Sequence, residues 1–181
     1  MSLFLATLLP GLFLALLGGV LLWNDSRVGS TAKALPRSRR CAWLFFGASA
    51  GWFMIRLSHV GESDLIFFQQ PLPVMLGFGA LAVLAFIYTP DFLAVRGLCV
   101  LTLLAAEPLL RAAYMEWSHP QRLLMVTAVY IGLALALYLA AAPYRLRDFF
   151  EWLFAKAGRA RGLGALLLVY GVATSLAAFT Y

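Results

Sequence analysis

The strongest constraint on this chain is a series of six long apolar runs: Leu3–Trp23, Cys41–Leu57, Val74–Thr89, Phe92–Leu110, Leu123–Ala142 and Leu163–Tyr181. A helix needs about 20 predominantly apolar residues to cross the hydrocarbon core of a bilayer. The runs therefore predict an all-α, polytopic membrane protein with six transmembrane helices, in one membrane domain spanning residues 1–181. The second and third runs are short, so their helices are expected to reach into polar flanks or to stand upright in the membrane. What lies between the runs is too short for a separate soluble domain. Composition agrees: 63% of the residues are hydrophobic and 12% charged, where soluble domains have about 45–50% and 25%. Such a chain is neither disordered nor a soluble domain.

The basic residues are sorted by linker. Arg27, Lys33, Arg37, Arg39 and Arg40 lie between the first two runs, and Arg145, Arg147, Lys156, Arg159 and Arg161 between the last two. Arg96 follows the Pro90-Asp91 turn on the same side, leaving only Arg56, Arg111 and Arg122 for the other. Cytoplasmic loops carry the excess of Lys and Arg. The two basic linkers are therefore expected inside a bacterial-type plasma membrane and both termini outside, giving three out-in-out hairpins. The net charge of +6 is read as topology and contact with anionic lipid, not as nucleic-acid binding, because the aromatics lie in the apolar runs and not beside the basic residues. The first run has no basic residue before it and is longer than the core of a cleavable signal, so it is expected to be retained.

Thr89-Pro90-Asp91 and Ser118-His119-Pro120 read as helix starts, with a capping hydroxyl before a proline. Ala142-Pro143 ends the fifth run. Beyond it Leu146, Phe149, Phe150, Leu153, Phe154 and Ala157 recur at helical spacing, with Arg145, Asp148, Glu151 and Lys156 mainly opposite. This predicts an amphipathic helix over Tyr144–Ala157, flat in the inner interface. Arg145, Arg147, Lys156, Arg159 and Arg161 are the expected contacts to lipid headgroups. Trp23, Trp117 and Trp152 fall where an interfacial aromatic belt would lie.

Polar chemistry collects on the opposite side. Ser49, Trp52, Arg56, His59 and Ser63 share one helical face, followed by Glu62 and Asp64 in the next loop. Glu107, Arg111 and Tyr114 form a second stripe, with Glu116 and His119 after it. Glu107 lies three residues from the end of an apolar run, where an unpaired carboxylate costs several kcal/mol. Its expected partners are Arg111, one turn away, and Arg56 on the second helix. His59–Glu62 and Glu116–His119 each place an imidazole and a carboxylate three residues apart, a spacing that on a helix suits zinc or non-haem iron. Bis-histidine haem is a further alternative. The expectation is nevertheless no cofactor and no metal, since these residues also read as interfacial side chains.

No GxSxG, P-loop, GxGxxG or CxxC is present. Gly47, Ala48 and Gly51, a GxxxG, and Gly77-Phe78-Gly79-Ala80 with Ala82 and Ala85 make small helix faces. They are expected to pack tightly inside the fold, with homo-oligomerisation as the alternative. Mid-membrane polar residues are few: Ser49, Thr102, Thr127, Tyr130, Thr174 and Ser175. The resulting expectation is a non-catalytic membrane subunit or scaffold of an oligomeric or multi-protein assembly. A small homo-oligomeric channel or transporter, and a membrane enzyme with an outer His/carboxylate site, are the alternatives.

Overall fold

The computed structural model describes residues 1–23, 25–59, 71–89 and 91–181, with the side chain of Pro71 outside the description. Its elements are α1 (Leu3–Trp23), α2 (Ser26–Ala34), a 3-10 turn (Leu35–Arg37), α3 (Arg39–Ser58), α4 (Pro71–Tyr88), α5 (Leu93–Ala113), α6 (Arg122–Ala141), α7 (Tyr144–Leu153) and α8 (Ala157–Ala178). No strand occurs among the described residues. Helices α1, α3, α5, α6 and α8 are long and apolar enough to cross a membrane, while Leu72–Tyr88 of α4 is apolar but shorter. With 21 residues, α1 rises about 31 Å, the thickness of a hydrocarbon core. Large apolar side chains such as Leu16, Val169 and Leu44 face outward from the bundle, as they do on lipid-facing helices.

The tightest pair is α1 with α8, which run antiparallel. Gly11 and Gly18 on α1 meet Gly171 and Gly164 on α8, and a Cβ built at Gly171 would come within 2.3 Å of the Ala15 backbone nitrogen. Both pairs are spaced by seven residues, so each helix presents one glycine face and the backbones touch. Parallel packing of α3 on α5 relies in the same way on Gly97, whose Cβ would lie 2.3 Å from the Phe46 nitrogen. Helix α4 returns alongside α3, with Phe78 edge-on to Phe53 and Phe86 stacked on Trp43. Helix α6 runs back against α5, and Ala6, Ala106, Ala113, Met125 and Val129 from α1, α5 and α6 form the central core cluster.

Several boundaries differ from those predicted. Asp25 accepts a hydrogen bond from the Arg27 backbone N–H, opening a polar helix, α2, inside the first basic linker. Ser38 caps α3 in the same manner through the Cys41 N–H, so this helix starts earlier than its apolar run. Thr89-Pro90-Asp91 does not cap α5. That helix begins at Leu93 after Phe92, which adopts a left-handed φ of 57° beneath the Arg37 guanidinium, and Pro90 lies outside the described residues. Ser118 likewise does not cap α6, which starts at Arg122 after a turn. The amphipathic helix stops at Leu153, not Ala157, and residues 154–156 turn into α8. Lys156 adopts an extended backbone (φ −134°, ψ 125°), which breaks the helix, and Leu153 and Ala160 on either side of the turn both join Leu21 in one buried cluster. Leu146 meanwhile joins Val95, Cys99 and Ala136. One stripe of α7 thus docks on the bundle instead of facing lipid alone.

The fold has two chemically different ends. Thr7 donates to the Tyr181 hydroxyl at 3.2 Å and Phe4 lies edge-on to Phe179, so both termini share one end. At the other, Gly29 of α2 sits against the Phe154 ring, gathering the two basic linkers.

Candidate functional site

The polar groups at the termini end centre on Glu107. Parallel packing of α3 and α5 brings Arg56 level with it, and the Arg56 guanidinium donates to Glu107 Oε2. On its own helix Arg111 approaches Glu107 Oε1 through Nε at 3.4 Å. One carboxylate therefore bridges two guanidiniums, and among the described residues the cluster keeps a net positive charge. Arg111 is the most accessible member, with 80% of its side chain exposed against 40% for Glu107. Among the described residues, Glu107 is the only carboxylate within ion-pair distance of either arginine.

Of the remaining predicted site residues, the described ones, His59, Glu116 and His119, make no hydrogen bond or ion pair with this cluster. α3 ends at Ser58, and His59 closes it. The His59 ring Nδ1 lies 2.7 Å from the Ile55 carbonyl and 3.3 Å from the Ser58 hydroxyl. His59 is thus the C-cap of α3, and Glu62, Ser63 and Asp64 lie outside the described residues. Glu116 and His119 are in the turn between α5 and α6, not on a helix, so the shared helical face expected of them does not form. His119 is half-buried against Tyr181, with ring centroids 5.2 Å apart. Among the described residues no three His, Cys, Asp or Glu side chains converge as metal ligands would.

Beneath the Glu107 cluster lies a cavity of about 750 Å³ between α1, α3, α5 and α6. Its wall includes Phe13, Trp52, Leu98, Thr102, Pro108 and Gly132. Pro108 adjoins Glu107 in the chain, and Trp52 is one turn from Arg56. The Thr102 hydroxyl is spent on its own helix, donating to the Leu98 carbonyl at 2.9 Å. The wall therefore offers hydrocarbon contact and almost no polar recognition. No sequence signal marked this space, because its lining residues come from four helices and look like ordinary core.

Of the small faces singled out in the sequence, Ala85 packs against the cluster of Ala42, Leu93 and Ala94, but the four glycines meet no neighbouring helix among the described residues. Gly47, Gly51, Gly77 and Gly79 would each place a Cβ with none of the described residues within 4 Å. The close contacts belong to Gly11, Gly18, Gly97, Gly164 and Gly171 instead. The other mid-membrane hydroxyls are largely self-satisfied: Ser49 donates to Phe46 O and Thr174 to Tyr170 O. Ser175 Oγ, pressed against Gly11, is the one buried side-chain polar atom among the described residues without a partner.

At the basic end Arg147 pairs with Asp148 at 2.8 Å and Glu151 at 3.7 Å. The hydrogen bond to Asp148, aided by both acidic charges, raises the Arg147 guanidinium further above its ordinary pKa. Arg159 lies over the Trp152 ring, 4.6 Å from its centroid, and donates to the Trp152 carbonyl. Arg145, Lys156 and Arg161 project outward. Against protein-family models, curated proteins and solved structures alike, the chain finds no match.

Proposed function

We propose that the chain is a non-catalytic membrane subunit, crossing an inner-membrane-type bilayer six times and assembling with further copies or other subunits through the outer face of α3 and α4. The observation that carries this reading is the set of glycines on α3 and α4 that the fold leaves open. Gly47 and Gly51 on α3, with Gly77 and Gly79 on α4, meet nothing within 4 Å among the described residues, whereas the α1–α8 and α3–α5 contacts are built on comparable glycines. Leu44, Ala48, Gly51 and Ile55 make one exposed stripe at helical spacing. A shallow groove in such a stripe lets a second helix approach closely.

In this reading α4 counts as the sixth crossing because it runs back along α3 from the level of Phe53 to that of Trp43. The basic end faces the cytoplasm by the positive-inside bias, both termini face outward, and Arg145, Lys156 and Arg161 meet anionic headgroups. The test is particle mass in lipid nanodiscs formed directly from membranes. The wild type should exceed one chain of 19.9 kDa, and Gly51→Leu with Gly77→Leu should lower the mass without lowering the melting temperature. A wild-type particle holding a single chain and no other protein overturns the proposal.

A further inference from the structure

We propose that the cavity between α1, α3, α5 and α6 is a lipid site. It holds one acyl chain of an anionic phospholipid from the bilayer, with the phosphate on Arg111 and Arg56. The size is right for a ligand: about 750 Å³ falls within the roughly 300–1,000 Å³ of small-molecule pockets. The shape is right for a tail. The lining on α5 runs from Leu98 to Leu109, about 16 Å of helix, or close to half of the ~30 Å hydrocarbon core. One leaflet's chain has that length.

The wall is apolar along this path, and its one hydroxyl, on Thr102, is already bonded to Leu98 O. A polar solute would leave its own groups unpaired there, whereas a hydrocarbon loses nothing. Leu9, Phe13 and Leu135 line the cavity and are exposed. The space is therefore open sideways between α1 and α6, where a tail enters from the bilayer without crossing protein. At the end of the path, Pro108 leads to Glu107 and its two arginines. Glu107 holds the guanidiniums in place but neutralises only one of them, and Arg111 is largely exposed. A guanidinium donates to phosphate oxygens in a bidentate fork, and the residual positive charge favours a lipid with net negative charge. None of Gly47, Gly51, Gly77 or Gly79 lines this cavity, so the site stands apart from the proposed assembly face.

Trp52 in the wall supplies the readout. In the full chain with Trp23, Trp43, Trp117 and Trp152 changed to Phe, Trp52 fluorescence is titrated in mixed micelles. The probes are phosphatidylglycerol brominated on its tails and the equally brominated phosphatidylcholine. Half-maximal quenching should need roughly fivefold less phosphatidylglycerol, the effect of one basic residue near an anionic lipid. Arg111→Gln should erase that preference and leave the depth of quenching unchanged. Gly132→Leu and Ala105→Phe, which project into the cavity, should each reduce the quenching itself, with circular dichroism and melting temperature verifying that the variant is folded. Equal half-saturation by the two lipids in the Trp52 chain overturns the headgroup assignment, and that comparison needs no cavity variant. Undiminished quenching in a folded filling variant overturns the tail site.

Discussion

Glu107 shows how far one residue can constrain its surroundings. A carboxylate this close to the hydrocarbon must find a cation or take up a proton, and only Arg56 and Arg111 lie at a suitable depth. Both are within reach in the folded chain. A double-mutant cycle on Arg56→Gln and Glu107→Gln should give a coupling of about 0.5–1.5 kcal/mol, as for polar pairs between membrane helices. Unfolding in mixed micelles measures it, and strict additivity would show that the pair is not formed. Glycine is the other residue whose role is set by contact. Gly97→Ala must push the Phe46 backbone away and should cost about 1–3 kcal/mol. Gly47→Ala meets nothing and should be neutral or stabilising by up to about 1 kcal/mol, because alanine is the better helix former. The same unfolding assay distinguishes the two, and the reverse order would contradict the packing described. The GxxxG pattern pointed to Gly47 and not to Gly97, and only the neighbouring helix shows which of the two is packed.

At the level of elements, apolar length alone located every long helix, because a hydrocarbon slab leaves a segment no other way to satisfy its backbone. Five agree to within three residues at each end, while α8 starts six residues before its run, at Ala157. The elements misjudged are the polar ones. α2, with the sequence SRVGSTAKA, has no apolar run, and its signal was the Asp25 cap. The α7–α8 break was illegible because a periodic pattern continues through Phe154 and Ala157, and nothing in it marks Lys156 as the extended residue at which the chain turns. Leu153 is 1% exposed and Phe149 41%. Leu153→Ala should therefore destabilise by about 2–4 kcal/mol, and Phe149→Ala far less, although both sit on the apolar side of the predicted helix. Comparable melting temperatures for the two variants would argue for a helix floating free in the interface.

For the molecule as a whole, the segregation of charge is the dominant feature. Basic linkers collect at one end, while both termini and the Glu107 cluster occupy the other. With Cys41 and Cys99 replaced by Ala, single cysteines at Ser26 and Ser118 should label differently with a membrane-impermeant maleimide added to intact cells. Ser118→Cys should react, and Ser26→Cys should react only after permeabilisation. Labelling of Ser26→Cys from outside would invert the proposed orientation.

Composition and charge by themselves determined that this chain is helical, apolar and polarised end to end, since those properties follow from hydrocarbon length and the placement of Lys and Arg. They also narrowed the partners of one expensive carboxylate. The tertiary structure alone decided which glycines are consumed in helix contacts and which remain open, where α7 stops, and that four helices leave a space beside two arginines. Those outcomes depend on how close two backbones come, and that distance belongs to neither helix separately.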